Sequence, residues 1–148
     1  MEIKYQYFED KKLFIQSFFG EFEIKEYMTY TQFVTQKLAT APINTVIIDF
    51  RKMDFSQIPD DFLEGIDKMT SVRRNMTDKQ VRQKNIKHIF WVDSPLPTVV
   101  AKLFIQSMPD LQYNYCSTAE SVENKLRLNG CAVDDIKELS KDLKESFP

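Results

Sequence analysis

Thr45-Val46-Ile47-Ile48-Asp49-Phe50 is a short apolar run, rich in β-branched residues and without polar alternation. A strand with one wet face alternates, whereas a run of this kind is a strand covered on both faces. Two further short runs of β-type residues follow, Ile86–Val92 and Leu111–Cys116. Each of the three is followed by a helix-start signal and then by apolar residues three and four apart. Strands alternating with helices build a largely parallel sheet with helices packed on it. The expectation is an α/β protein with a mixed sheet of about five strands. The three runs should be mutually parallel and its most buried strands.

Upstream, Ile3, Tyr5 and Tyr7 alternate with polar residues, and after Glu9-Asp10-Lys11 the pattern resumes through Leu13, Ile15 and Ser17, which reads as an N-terminal β-hairpin. Gly20 ends or bulges it. Tyr27, Tyr30 or Thr31, Val34 and Leu38 form one face of a first helix, closed by Pro42. A second helix begins near Pro59-Asp60-Asp61, with the proline in the first turn and the acids at the positive end of the dipole. Its buried stripe is Phe62, Ile66, Met69, Val72 and Met76. A third, after Asp93-Ser94-Pro95-Leu96-Pro97, carries Val99, Val100, Leu103 and Phe104. Ser117-Thr118-Ala119-Glu120 has the form of a capping box opening a fourth, through Val122 and Leu126, with Gly130 as its C-cap.

Residues 132–147 read as one more amphipathic helix. Val133, Ile136, Leu139 or Ser140, Leu143 and Phe147 fall on one side, and Asp134–Lys137, Glu138–Lys141 and Lys141–Glu145 can pair along the other. The division expected is a domain over 1–130 and an accessory C-terminal helix over 131–148.

At 148 residues the chain is most simply one domain. Three glycines are too few for a glycine-rich phosphate cradle, and neither GxGxxG nor a P-loop occurs. A formal charge of −2 gives no whole-molecule attraction to nucleic acid or anionic membrane. Cys116 and Cys131 are unpatterned, as expected of buried thiols in a reducing compartment. The N-terminus carries acids and has no apolar stretch of signal-peptide type, and no run approaches the roughly 20 residues that span a bilayer. The expectation is a cytoplasmic protein without a transmembrane segment.

Hairpin, helix, then strand and helix three times over resembles the STAS domain, the fold of bacterial anti-anti-sigma factors. Within that family it resembles the divergent SpoIIAA-like branch grouped with Sec14-type lipid-binding domains. Three stretches carry the likeness: Thr45–Arg51, similar to a strand ending in Asp-x-Arg; Phe55–Asp61, where the next helix begins; and Ile89–Leu96 followed by Ala101–Phe104, similar to a hydrophobic strand, Asp-Ser-Pro and a short helix. The resemblance covers about residues 3–128 and implies one regulatory residue. In phosphorylatable members a serine within Asp-Ser-Ser-Gly-Leu-Gly is the phosphosite. The matching stretch here is Met53-Asp54-Phe55-Ser56-Gln57-Ile58, which keeps Asp54 and Ser56 but has Phe55 for the first serine and no glycine.

Ser56 is thus either a phosphosite or a loop or N-cap serine. A phosphate there would meet Asp54, Asp60 and Asp61. Asp49, Arg51, Asp54, Asp93, Ser94 and Ser117 are candidates for a binding site at the carboxyl ends of the strands, where open α/β sheets hold ligands. Their ordinary reading is that Asp49 pairs with Arg51 and that Asp93, Ser94 and Ser117 cap helices. His88 has no neighbour at ligand spacing, so no metal site is read, and its expected place is structural, at a strand edge. Trp91 is expected in the core, its indole N–H needing one partner. The basic run Arg73, Arg74, Lys79, Arg82, Lys84 and Lys87 lacks the interleaved aromatics of a nucleic-acid groove. It reads as a solvated helix end, or as a surface for an acidic protein.

Ten of the eighteen Phe and Tyr residues fall within the first 33 positions. Phe14, Phe18, Phe19, Phe22, Tyr27 and Tyr30 are therefore candidates either for an apolar interface or ligand pocket, or for a core shared by both faces of the hairpin. No catalytic set, cofactor or metal site is read. The functional expectation is a non-enzymatic regulatory or scaffolding module that binds a protein partner, with a homodimer as one form. The rival is a carrier of a small, lipid-like apolar ligand.

Overall fold

A computed structural model describes residues 1–55, 61–68, 71, 85–107 and 112–148. Strands β1 (Glu2–Phe8) and β2 (Leu13–Glu21) form the expected antiparallel hairpin, joined by a 3-10 turn over Glu9–Lys11. Helix α1 (Ile24–Thr40) buries Tyr27, Tyr30, Thr31, Val34 and Leu38, the face read from spacing, together with Thr35. Strand β3 (Thr45–Asp54) runs four residues beyond the apolar run. After it come helix α2, described over 62–68, strand β4 (Lys87–Trp91), helix α3 (Pro95–Ser107), strand β5 (Gln112–Cys116) and helix α4 (Ala119–Leu128). Phe62 and Ile66 of the predicted α2 stripe are buried. Met69, Val72, Met76 and most of the basic run lie outside the described residues, as does Leu111.

The sheet has six strands in the order β5-β4-β3-β2-β1-β6, where β6 is Glu145–Phe147. β2, β3, β4 and β5 are successively parallel, so the three runs lie in the mutual orientation expected. The burial expected of the third run is corrected. β5 is an edge strand, with Gln112, Asn114 and Tyr115 exposed, whereas β2 is buried over Leu13–Phe18.

Three parallel crossovers stepping in one direction across a sheet put their helices on one side, because such connections are right-handed. α1, α2 and α3 accordingly share a core with Phe14, Phe18, Val46, Ile48, Phe50 and Phe90. The opposite face presents Leu13, Ile15, Ile47, Ile89 and Trp91, and α4 and the tail cover it through Val122, Leu126, Cys131, Val133, Ile136 and Leu143. Thr118, not Ser117, caps α4, its hydroxyl accepting the Ser121 N–H at 3.1 Å. At the other end Gly130 adopts φ +79°, where the Gly130 and Cys131 amides donate to the carbonyls of Arg127 and Leu126.

The tail departs from the single helix expected. Helix α5 covers only Ile136–Lys141, and β6 then pairs antiparallel with β1, setting Phe147 against Ile3. Val133, Ile136 and Leu143 do go inward, but Phe147 packs against the other core, edge-on to Tyr30 and tilted against Phe33. A strand projects alternate residues to opposite faces, which a helical stripe cannot do. Deleting residues 131–148 therefore removes the part of the cover over one side of β2, β3 and β4 that Cys131, Val133, Ile136 and Leu143 supply, leaving that of α4. The expected outcome is a lower, broader melting transition and binding of a hydrophobic dye; a truncated chain melting like the full one would contradict this packing.

Candidate functional site

The β2–β3 register slips at the carboxyl end of the sheet. Ser17 pairs with Asp49, but Phe19 pairs with Lys52, so β3 carries one residue more than β2. Such a bulge removes a backbone group from the ladder. The Arg51 amide, left without a ladder partner, donates instead to Asp49 Oδ1 at 3.1 Å. Arg51 Nε donates to the same oxygen at 2.9 Å, while Nη2 donates to Oδ2 at 2.8 Å and the Ser17 hydroxyl to Oδ2 at 3.3 Å. The Asp49 side chain is 5% exposed and that of Arg51 20%. A carboxylate so buried is tolerated because a bidentate guanidinium and two further donors replace its water.

The guanidinium also lies on the indole of Trp91, with Cζ 3.3 Å from the ring centroid. Its Nη2 reaches Ser140 Oγ on α5 at 3.5 Å. Around this pair opens a cleft of about 250 Å³ lined by Ser17, Phe19, Asp49, Arg51, Lys52, Lys137, Ser140 and Lys141. The ion pairs expected for Lys137 and Lys141 along the tail do not form among the described residues; both side chains line the cleft instead.

Of the residues proposed for the strand ends, only Asp49 and Arg51 meet. Asp93 is exposed and does not line the cleft. Ser94 accepts the first helical bond of α3, from Thr98 N–H at 3.2 Å. Asp54 is exposed at the far end of β3, where its carbonyl accepts the Phe22 amide at 3.1 Å. Ser117 is exposed beside α4. Ser56 lies outside the described residues. His88 is buried inside the sheet, not at its edge, with its ring stacked on Tyr113 at 4.4 Å.

Five of the six N-terminal aromatic candidates are core. Phe14, Phe18, Phe22, Tyr27 and Tyr30 are each at most 7% exposed. Phe18 alone is in ring contact with Tyr27, Tyr30 and Phe50. The Tyr30 hydroxyl donates to Gln16 Oε1 at 2.6 Å, and burial pushes its pKa well above the usual range. Phe19 is half-buried beneath the ammonium groups of Lys4 and Lys52.

A second surface surrounds the β5 edge. Five large apolar residues are well exposed among those described, and four of them, Leu96, Val99, Tyr115 and Leu128, sit on β5 or on the helices beside it. Tyr115 and Leu128 border a groove of about 270 Å³ between β5 and α4, and Lys102 of α3 lies over the Tyr115 ring at 5.4 Å. The sequence offers no signal for this surface: Val99 shares the three- and four-residue spacing of its helix with Val100, Leu103 and Phe104, and Leu111–Cys116 reads as one of the most buried strands.

Among the described residues no group of three His, Cys, Asp or Glu side chains is placed to hold a metal ion, and no helix is long and apolar enough to cross a membrane. No protein-family model matches the chain, and no curated protein matches it.

Two outcomes test this geometry. Asp49→Ala strands a guanidinium that is mostly buried, and should cost about 2–3 kcal/mol in denaturant unfolding, less than the 3–5 of a fully buried pair because Arg51 keeps some water. An unchanged unfolding midpoint would show that the pair carries no stability. Cys116 and Cys131 are unpaired and buried, and burial pushes both thiols up, which leaves less thiolate at a given pH. Both should label slowly with a thiol reagent at pH 8 and rapidly once the chain is unfolded.

Proposed function

We propose that this chain is a non-enzymatic, STAS-like regulatory or scaffolding module that works by binding a protein partner at the β5 edge. The order hairpin, helix and alternating strand and helix, on which the STAS resemblance rests, supports the fold half of this reading. The observation that carries the binding half is the concentration of exposed apolar residues around one sheet edge. Soluble proteins scatter such residues singly, and gather them where another surface is to cover them.

β5 is also chemically open to strand addition. Edge strands are commonly guarded by charges that discourage pairing. Gln112-Tyr113-Asn114-Tyr115-Cys116 contains none, whereas the opposite edge, β6, has three residues and carries Glu145. An extended segment of the partner would add backbone hydrogen bonds along β5 and set side chains against Tyr115 and Leu128. Phe18, Phe22, Tyr27 and Tyr30 fill the core in contact with one another, which favours the module over a carrier of a lipid-like ligand.

The test is affinity capture from the source cell by the wild-type chain and by Tyr115→Lys, a change at an exposed position that should leave the melting temperature unaltered. The expected result is a partner recovered by the wild type and lost by the variant. Identical recovery by both would place binding elsewhere. A fall in the mass of the purified protein on substitution would identify the partner as a second copy of this chain.

A further inference from the structure

The cleft beside Asp49 holds more positive charge than it balances. Arg51, Lys52, Lys137 and Lys141 line it against a single carboxylate, Asp49, in a chain whose formal net charge is −2. That carboxylate is already occupied by the Arg51 amide and guanidinium and by the Ser17 hydroxyl. Lys52, Lys137 and Lys141 make no ion pair among the described residues. Like charges brought together by a fold repel one another, and a bound anion relieves that repulsion.

Arg51 supplies the directional part of such a site. Its Nε and Nη2 are used by Asp49, and Nη2 also reaches Ser140, while Nη1 makes no hydrogen bond among the described residues. Asp49 along one edge and Trp91 beneath the plane hold the group still. Little side-chain freedom remains to be lost when a ligand arrives. A guanidinium Nη1 in a cleft also lined by three lysines matches a tetrahedral, doubly charged oxyanion better than a flat, singly charged one.

We propose that this cleft binds a phosphate group, either free or as the monoester of a small molecule. No glycine-rich loop is required, since side chains from β3 and α5 supply the donors. The site lies on α5 and the carboxyl ends of β2 and β3, and stands independently of the β5 edge.

The chain contains one tryptophan, Trp91, and it lies under the guanidinium, so its emission reports on the site. The experiment titrates the full chain at constant ionic strength with inorganic phosphate, with glycerol phosphate, and with acetate and chloride as references, following Trp91 emission and amide NMR shifts. The expected result is a saturable response to a phosphate, with shifts centred on Ser17, Arg51 and Ser140. Saturation by the ester alone identifies an esterified ligand, and equal affinity for both identifies the free anion. Lys137→Gln with Lys141→Gln should weaken binding roughly tenfold or more, two charge-assisted contacts being lost, at an unchanged melting temperature. Tyr115→Lys should leave it unaltered. Three results would overturn the proposal: a response no different from that to chloride, equal affinity for acetate, or full affinity in the lysine double variant.

Discussion

β3 has to satisfy two hydrophobic cores at once, and the rest of the molecule is arranged around that requirement. Val46, Ile48 and Phe50 enter the core shared with α1, α2 and α3, while Ile47 enters the other beside Leu13, Ile15 and Ile89. Burial of apolar surface at about 25 cal/mol per Å² is the main favourable contribution to folding, and a strand buried on both faces gains it twice. Right-handed crossovers can roof only one of those faces. The second is left to α4 and the tail, which is why a segment that looks peripheral in the sequence contributes Cys131, Val133, Ile136 and Leu143 to a core.

The same two-faced geometry explains the one carboxylate that β3 buries. Asp49, two residues after Ile47, shares its face toward the second core, where an isolated charge would be costly. The bulge two residues later brings both the amide and the side chain of Arg51 back onto it. Arg51 is then pinned between that carboxylate and Trp91, and α5 lays Ser140, Lys137 and Lys141 alongside. A local irregularity in pairing thus becomes a cationic cleft.

The aromatic residues show how packing redistributes what composition suggests. Their excess near the N-terminus is spent within the core, in a chain of ring contacts from Phe22 through Tyr27 and Phe18 to Tyr30. The apolar surface left outside is elsewhere, at Leu96, Val99, Tyr115 and Leu128. The two candidate surfaces therefore differ in chemistry, one apolar at a sheet edge and one cationic at the strand ends.

By itself the sequence determined the features encoded by near neighbours. The hairpin alternation of Ile3, Tyr5 and Tyr7, the three-and-four spacing of Tyr27, Val34 and Leu38, and the unbroken apolar run of β3 each state a period, and a period sets the local conformation. The Asp49–Arg51 pair was legible for the same reason, since residues two apart on a strand share a face. Tertiary structure alone decided what depends on distant partners. Val133 to Phe147 fit a helical stripe, yet β1 offers Glu145–Phe147 a ladder and claims it as a strand. Leu111–Cys116 reads as one of the most buried strands, but strand order makes β5 an edge, with Tyr115 exposed. Lys137 and Lys141 could pair with neighbouring acids, and reach the cleft only because α5 packs against β2 and meets Arg51 of β3 through Ser140. Local periods fix which way a side chain points along its own element; what stands opposite it depends on contacts between residues far apart in the chain, and no local pattern records those.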